Sequence, residues 1–313
     1  MNIAFWGLGS IASRHIVNVA AVLKSKNVHF TIDVFRHEVK PISNPQIKNL
    51  VNNLFSEDEF ENNGTTYDII FITNPTALHF DTIKRCIPYA KHLFIEKPVF
   101  EKWNENIDEL QMNKDSIYYV ACPLRYTAVL QYVKENIDFN NVISIRAISS
   151  SYLPDWRPEI DYRNTYSAHT ELGGGVSIDL IHEWDYLTYF FGMPEKTLYV
   201  GGKYSDLEIN SDDLAAYVGI YKDKLIELHL DYYGRKSVRE CMLFMKEDTV
   251  IADITNGKVK YLNAGETIDL TEERNAFQKR EIEHFFDIID GKIQNDSTIQ
   301  HAVDVLKIAR EGI

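Results

Sequence analysis

The chain begins with a short apolar run that leads through two glycines into a helical pattern. The run Asn2–Trp6 is followed by Gly7-Leu8-Gly9-Ser10-Ile11-Ala12, and apolar residues then recur at helical spacing as far as Leu23. The glycines permit a tight turn and let a pyrophosphate approach the start of the helix, and Ala12 leaves room for helix–strand packing. A tight strand–helix turn without a ligand is the alternative. The place of the motif between a strand and a helix favours a dinucleotide-binding turn.

The end of the second predicted strand bears on which dinucleotide binds. The strand Val28–Phe35 closes with Arg36 and His37, and Asp33 lies inside it, two residues before its end. A carboxylate at such a strand end holds the ribose 2′-hydroxyl of NAD, whereas an arginine accommodates the 2′-phosphate of NADP. The pattern therefore favours NADP, clamped by Arg36, and leaves NAD as the alternative.

Three further apolar runs without alternation are typical of buried parallel strands. They are Tyr67–Thr73, His92–Ile95 and Ile117–Cys122, whereas the apolar residues at 50–55 indicate a short helix. The carboxyl ends of strands in a doubly wound sheet line the ligand crevice. Pro98 keeps Lys97 extended, which projects its ammonium from that edge towards a substrate carbonyl. A surface Glu–Lys pair at a strand end is the alternative.

Composition excludes several classes of partner. The 313 residues suffice for two domains, and the net charge of −13 argues against nucleic acid or an anionic membrane as a partner. No apolar run has the length of a membrane span, and the first residues lack the pattern of a signal peptide. The cysteines Cys86, Cys122 and Cys241 are widely spaced and imply neither disulfides nor a zinc site. We expect a cytoplasmic protein without a metal.

A second glycine-rich segment precedes a helical pattern with a polar face. Three glycines at 173–175 lead into residues 176–191, where Asp179, His182, Glu183 and Tyr186 fall within about 100° of one another on a helix wheel. The opposite side of the wheel is apolar. The glycines let the backbone approach a ligand or another strand closely. A solvated surface helix is the alternative, but a polar face of this chemistry favours a helix that faces a cleft.

The remainder of the chain predicts a sheet with a long aromatic loop. Strand-like runs with turn signals between them indicate an antiparallel sheet, and helices at 272–290 and 298–311 follow. The runs are 142–151, 197–200, 214–221, 225–232, 239–245, 250–254 and 258–262. The loop 152–172 is rich in Tyr, Trp and Arg, which suit sugar or base faces and phosphate or carboxylate. A structural loop anchored by its aromatic residues is the alternative.

Together these residues resemble the glucose–fructose oxidoreductase/inositol dehydrogenase (Gfo/Idh/MocA) family over essentially the whole chain. The likeness rests on the first glycine turn, the Pro turn before His79, Glu96-Lys97-Pro98, Arg125-Tyr126 and the segment 173–185, in that order. It implies an α/β protein with a Rossmann domain, a doubly wound parallel sheet, at 1–122. A second, α+β domain with a large, mostly antiparallel sheet follows at 123–313. Such a sheet often mediates oligomerisation, here of a homodimer or homotetramer.

The resemblance also implies the catalytic residues. Lys97 and His182 correspond to the family's catalytic pair, and Asp179 assists them. The family commonly spaces these residues as Asp-x-x-x-His, whereas Asp179 and His182 are one residue closer. Both spacings share a helix face. The segment 152–168 is similar to a subgroup found with bacterial surface-sugar biosynthesis.

We therefore expect an NAD(P)-dependent oxidoreductase that moves a hydride between nicotinamide and a hydroxyl or keto carbon of a sugar, polyol or nucleotide sugar. A redox-neutral lyase or glycosidase-like enzyme with tightly held NAD and a noncatalytic dinucleotide-binding regulator are the alternatives. The predicted cofactor-binding residues are Gly7, Gly9, Ser10, Ile11, Ala12, Arg36, Thr73, Asn74, Pro75, His79, Glu96 and Lys97. The predicted substrate-binding residues are Arg125, Tyr152, Trp156, Arg157, Tyr162, Arg163, Asp179 and His182.

Overall fold

The computed structural model describes all residues from Met1 to Ile313. They form two compact units. Unit 1 comprises Met1–Ala121 and Gln278–Val303, and unit 2 comprises Cys122–Phe277 and Asp304–Ile313. The chain first passes from unit 1 to unit 2 between residues 121 and 122, one residue before the predicted division between residues 122 and 123. Residues 278–303, which are predicted to lie in the second domain, belong to unit 1.

Unit 1 is built on a six-stranded parallel sheet of order β3-β2-β1-β4-β5-β6. Its strands are β1 (Asn2–Trp6), β2 (Thr31–Arg36), β3 (Asn53–Ser56), β4 (Tyr67–Ile72), β5 (Ala90–Ile95) and β6 (Tyr118–Val120). The helices of this part of the chain are α1 (Ser10–Ser25), α2 (Pro45–Lys48) and α3 (His79–Cys86). This strand order is that of the doubly wound dinucleotide-binding fold, so the predicted Rossmann sheet is confirmed.

Aromatic side chains fill the centre of unit 1. Phe71 of β4 stacks on Phe5 at 4.5 Å and on Phe94 at 4.8 Å between ring centroids, and Phe285 packs edge-on against Phe94. Strand β4 is buried at almost every position, as expected for a parallel strand covered on both faces. The helix predicted at 50–55 is wrong, because β3 occupies Asn53–Ser56.

Unit 2 contains an eight-stranded sheet of order β14-β13-β12-β11-β7-β10-β9-β8. Only the β10–β7 pair is parallel, which confirms the predicted mostly antiparallel sheet. Its strands are β7 (Val142–Tyr152), β8 (Lys196–Gly202), β9 (Leu214–Ile220), β10 (Leu225–Asp231), β11 (Tyr233–Met245), β12 (Thr249–Asp253), β13 (Lys258–Tyr261) and β14 (Glu266–Asp269). The remaining helices of the chain are α4 (Ala128–Asn136), α5 (Val176–Asp179), α6 (His182–Phe191), α7 (Ala276–Ile289) and α8 (Ile299–Glu311).

The single helix predicted after the second glycine cluster is wrong in one respect. The chain forms the short helix α5, a turn at Leu180 and Ile181, and then α6, so Asp179 and His182 lie on different helices. The predicted polar face is divided as well. Glu183 is fully buried and its carboxylate lies 2.7 Å from Arg239 of β11. Part of that face therefore contacts the sheet of unit 2. No helix in the chain combines the length and apolar character that crossing a membrane requires.

Candidate functional site

The turn between β1 and α1 has a backbone that only glycine adopts without strain. Gly7 has φ +93°, and its N–H donates to the Phe35 carbonyl at 2.8 Å. A Cβ at this position would lie 3.0 Å from the backbone of Asn74. Gly7 therefore provides both a left-handed conformation and a close approach between neighbouring strand ends.

The N-terminus of α1 is open to an anion. Gly9 is its N-cap residue; no side chain caps the helix, and no acidic residue lies in its first turn, which begins with Ser10, Ile11 and Ala12. A Cβ on Gly9 would meet nothing within 4 Å. Unpaired backbone N–H groups and the helix dipole at such an end bind phosphate well. The turn therefore fits the pyrophosphate of a dinucleotide.

The residues after β4 add a buried acceptor that lacks a donor. Thr73 donates to the Trp6 carbonyl at 2.9 Å, and the Asn74 amide nitrogen donates to Thr82 at 2.8 Å. The Asn74 Oδ1 atom is buried without a hydrogen-bond partner. Because an unsatisfied buried acceptor is costly, this oxygen favours a ligand N–H or O–H group nearby. Pro75, which follows it, is exposed.

Asp33 is occupied within the sheet. Its carboxylate accepts the Asn53 amide at 2.8 Å and the Tyr67 hydroxyl at 3.0 Å, and it is 8% exposed. Burial and the neighbouring Asp33 charge raise the pKa of Tyr67 well above its usual value. Arg36, the last residue of β2, is half-buried and forms no ion pair. The structure thus places a free cation, and no free carboxylate, at the end of this strand.

His79 joins two of the segments predicted to bind the cofactor. Its Nδ1 lies 3.1 Å from the carbonyl oxygens of both Pro98 and Val99, and its Nε2 lies 3.0 Å from the carbonyl oxygen of Asn74. Burial lowers the pKa of His79. Both ring nitrogens contact backbone, so this side chain positions the ends of β4 and β5.

Glu96 and Lys97 follow β5 and have a partner that the sequence analysis missed. Glu96 Oε1 lies 2.5 Å from Nε2 of His15, a buried residue of α1, and Oε2 accepts the Lys97 backbone N–H at 3.1 Å. Burial alone would raise the pKa of Glu96, but His15 and the Lys97 charge lower it overall. Lys97 itself is half-buried. The signal for His15 was its place among the apolar residues of the α1 pattern.

In unit 2, Asp179 is held by two tyrosines. Its Oδ1 accepts the Tyr166 hydroxyl at 2.7 Å, and its Oδ2 accepts the Tyr232 hydroxyl at 2.5 Å. Asp179 is 7% exposed, whereas His182 at the start of α6 is half-buried. Neither tyrosine belongs to the predicted site, because hydroxyls from distant segments converge only in the folded chain.

Two of the three glycines before α5 are required by contacts within the chain itself. A Cβ on Gly174 would collide with the Tyr166 carbonyl oxygen, and one on Gly175, which has φ +126°, would collide with the Asp212 carboxylate. Asp212 also accepts the Ser177 N–H at 3.1 Å. The close approach expected at these glycines is therefore made by the loop and by Asp212.

Arg125 is used inside unit 2. Its guanidinium binds both carboxylate oxygens of Asp185, at 2.8 and 2.5 Å, and its centre lies 4.4 Å from the centre of the Tyr189 ring. The side chain is fully buried. A bidentate, stacked pair of this kind fixes α6 against the segment that precedes α4.

The aromatic loop brings only some of its predicted residues together. A shallow hollow that is open to solvent is lined by Leu153, Trp156, Arg157, Ile160, Tyr162, Thr165 and Ser167. Trp156 also packs edge-on against Tyr232 at 5.3 Å. Tyr152 instead lies under Arg235, and Arg163 forms ion pairs with Asp161 and Glu208. Trp156, Arg157 and Tyr162 are therefore the members that share one surface.

The strand order and the glycine turn show the class of unit 1: it is a Rossmann domain with a glycine turn of the dinucleotide-binding type. Residues 1–120 match the model of the Gfo/Idh/MocA family, described as an oxidoreductase family with an NAD-binding Rossmann fold. This match covers less than half of the chain, and it agrees with the resemblance predicted from the sequence.

Two curated oxidoreductases are similar to part of this chain. The chain is 28% identical over 130 residues to a D-xylose dehydrogenase of Paenarthrobacter nicotinovorans, a match that covers 40% of this chain and 34% of the relative. It is also 28% identical over 138 residues to an uncharacterized oxidoreductase of Bacillus subtilis, covering 43% and 38%. The matches thus span little more than a third of these relatives.

Solved structures share the fold over nearly the whole chain. A levoglucosan dehydrogenase in complex with NADH and L-sorbose has a TM-score of 0.83 at 14% identity, covering 99% of this chain and 94% of its own. The UDP-N-acetylglucosamine 3-dehydrogenase of Acidithiobacillus ferrooxidans has a TM-score of 0.78 at 19% identity, covering 99% and 95%. The predicted two-part architecture is confirmed at the level of the fold.

Proposed function

We propose that this protein is an NAD(P)-dependent oxidoreductase that moves a hydride between nicotinamide and a hydroxyl or keto carbon of a sugar, polyol or nucleotide sugar. The observation that carries the proposal is the uncapped, acid-free N-terminus of α1 behind Gly7 and Gly9, in a segment that matches an NAD-binding oxidoreductase family. The names of the relatives, which are dehydrogenases of sugars and of a nucleotide sugar, support the substrate class.

The dinucleotide would be held by unit 1. Backbone N–H groups at Ser10, Ile11 and Ala12 would bind its pyrophosphate. The Asn74 oxygen would accept a hydrogen bond from an O–H or N–H group of the dinucleotide. When bound, the nicotinamide supplies or accepts the hydride. Arg36 favours NADP over NAD, since Asp33 is already occupied and Arg36 has no carboxylate partner.

Lys97 and His182 would carry the proton chemistry. The Lys97 ammonium, whose charge interacts with the Glu96 carboxylate, would stabilise negative charge that develops on the substrate oxygen. The His182 imidazole would act as general base in oxidation and general acid in reduction. Asp179 would provide a rigid polar group beside this segment, because two hydroxyls orient its carboxylate.

Residues of the aromatic loop would decide specificity. Trp156, Arg157 and Tyr162 share the hollow of unit 2, which suits a sugar ring or an attached anionic group. Arg125 would act indirectly by holding Asp185 and α6. A role in bacterial surface-sugar biosynthesis is the narrower form of this proposal.

The protein would function in a reducing cytoplasm. Its three cysteines are free and buried, which supports this location.

The sheet of unit 2 would form a homodimer or homotetramer. Its edge strand β8 carries Leu198 and Val200, which are 48% and 62% exposed. Exposed apolar side chains on a broad sheet favour contact with a second copy of the chain. Sedimentation equilibrium measures the assembly directly, and a monomer at micromolar concentration would contradict this part of the proposal.

The function is tested by cofactor titration followed by a substrate screen. Wild-type protein is titrated with NADPH and NADH by fluorescence, and sugars, polyols and nucleotide sugars are then screened for cofactor absorbance change. Lys97→Ala and His182→Ala should each lower kcat by at least about 100-fold, because each removes a proton-transfer or electrostatic group, while cofactor affinity stays within about threefold.

The exposed residues Lys91 and His29 supply matched controls. Lys91→Ala and His29→Ala should retain wild-type turnover. The proposal fails if the wild-type protein binds neither dinucleotide, or if both Lys97→Ala and His182→Ala turn over at the wild-type rate.

A further inference from the structure

Tyr166 combines an exposed ring with an anchored hydroxyl. The residue is 44% exposed, yet its hydroxyl donates to Asp179 at 2.7 Å. Tyr232 donates to the same carboxylate at 2.5 Å, but it is fully buried. Two tyrosines therefore share one acceptor, and of these two only Tyr166 presents its ring to the outside of unit 2.

The backbone that carries Tyr166 is held on both sides. Tyr166 begins a short 3₁₀ helix that ends at Ala168, and the buried Ser167 accepts a hydrogen bond from Ser211 at 2.6 Å through its carbonyl oxygen. Gly174 approaches the Tyr166 carbonyl so closely that no larger residue fits there. Both ends of the side chain, its backbone and its hydroxyl, are therefore fixed.

A ring fixed in this way loses little conformational freedom when a ligand packs on it. Aromatic faces pack against the C–H groups of a pyranose or furanose ring, which form a rigid apolar patch. An acyclic polyol has no such fixed patch, and it loses several bond rotations on binding. The geometry at Tyr166 thus favours a cyclic ligand.

We propose that Tyr166 is a substrate-binding residue on which a cyclic sugar stacks, and that the enzyme therefore selects cyclic sugars over acyclic polyols. The proposal rests on the proposed oxidoreductase function and narrows its substrate class. It assigns Tyr166 a direct contact, and it assigns Tyr232 only the support of Asp179.

Steady-state kinetics test this assignment. Wild-type protein is assayed with D-xylose, with its acyclic counterpart xylitol and with UDP-N-acetylglucosamine. Turnover of a cyclic substrate, and a KM for xylitol above that for D-xylose if both react, are expected. For the best cyclic substrate, Tyr166→Leu should raise KM about tenfold and change kcat less than about threefold. Tyr166→Phe retains the ring and should restore most of the loss in KM.

Two further variants separate the ring from the hydroxyl and from general destabilisation. Tyr232→Phe removes the other hydroxyl from Asp179 without removing an exposed ring, so its effect should fall on kcat rather than on KM. Tyr204, which is 62% exposed, supplies the control Tyr204→Leu, and its kinetics should be unchanged. Thermal unfolding confirms that each variant is folded.

The outcomes distinguish the inference from the function beneath it. If wild-type protein binds NADPH or NADH but oxidises only xylitol, or if Tyr166→Leu keeps the wild-type KM for a cyclic substrate, the stacking assignment is wrong and the oxidoreductase assignment stands. If no substrate of a broad panel reacts with either dinucleotide, the proposed function fails and the stacking assignment fails with it.

Discussion

His15 and Glu96 form a buried pair at the base of the segment that carries Lys97. Their 2.5 Å contact joins α1 to the end of β5, and the remaining carboxylate oxygen accepts the Lys97 N–H. The carboxylate stays charged in the fold because His15 and Lys97 outweigh the effect of burial on its pKa. The carboxylate that binds the Lys97 backbone thus depends on a residue of α1.

The Glu96 pair predicts a pH-dependent contribution to stability. The folded pKa of Glu96 is below its ordinary value of 4.5, so the carboxylate stabilises the fold above that value and loses this contribution as pH falls through the folded pKa. Glu96→Gln should lower the free energy of unfolding at pH 7 by about 1–3 kcal/mol. The difference from wild type should narrow below about pH 4.5.

Urea unfolding of both proteins between pH 3.5 and 7 measures that difference. Glu135→Gln, a change at an exposed position of α4, controls for the loss of one carboxylate. An equal difference between Glu96→Gln and wild type at every pH would show that the Glu96 charge does not stabilise the fold.

Asp33 shows which residue-scale facts a sequence leaves open. The sequence alone shows that Asp33 lies before the end of β2. This position already argues against Asp33 binding the ribose 2′-hydroxyl. Its partners Asn53 and Tyr67 lie 20 and 34 positions away, so their contacts follow only from the order of the strands. The same holds for the two tyrosines on Asp179, which lie 13 and 53 positions from it.

At the scale of elements, local signals predicted the β1–α1 unit well. A buried strand, two glycines and an amphipathic helix are all encoded within 25 residues, and the structure has them as Asn2–Trp6 and Ser10–Ser25. Strand β3 was missed because its apolar residues are few and it lies at the edge of the sheet. The break between α5 and α6 was missed because no glycine or proline marks it; Leu180 and Ile181 are buried there.

Substitution of two glycines with positive φ distinguishes the cost of backbone strain from the cost of a steric collision. Gly175→Ala should destabilise the protein by about 3 kcal/mol or more, since it adds a collision with Asp212 to the cost of φ +126°. Gly192→Ala, at φ +75° with nothing within 4 Å of the new methyl, should cost less, about 1–3 kcal/mol.

Thermal and urea unfolding of the two variants measure this difference. Equal losses of stability would mean that the approach of Gly175 to Asp212 contributes nothing beyond its backbone conformation.

At the scale of the whole molecule, sequence predicted two parts but not all of their membership. Residues 278–303 belong to unit 1, although more than 150 residues of unit 2 separate them from the rest of it. Packing explains this return: Phe285 contacts both Phe71 and Phe94 in the centre of unit 1. A helix-forming pattern near the end of a chain does not reveal which sheet its apolar face covers.

The proposed catalytic residues are divided in the same way. Lys97 and the dinucleotide turn lie in unit 1, whereas Asp179, His182 and the aromatic loop lie in unit 2. The resemblance to the family predicts these residues from their order along the chain. In the structure, each unit fixes the positions of the proposed residues that it contains. Every catalytic role proposed here depends on a dinucleotide bound at the turn of unit 1.

Dinucleotide binding to wild-type protein and to Gly9→Ala is the most direct measurement of that claim. Gly9 has φ −87°, and a methyl group there meets no atom of the protein within 4 Å, so stability should change by no more than about 1 kcal/mol. The methyl would occupy the space next to the uncapped N-terminus of α1. Fluorescence titration with NADPH and NADH should therefore show at least a tenfold weaker Kd, about 1.4 kcal/mol. Wild-type protein that binds neither dinucleotide, or a folded Gly9→Ala that binds as tightly as wild type, would contradict the account.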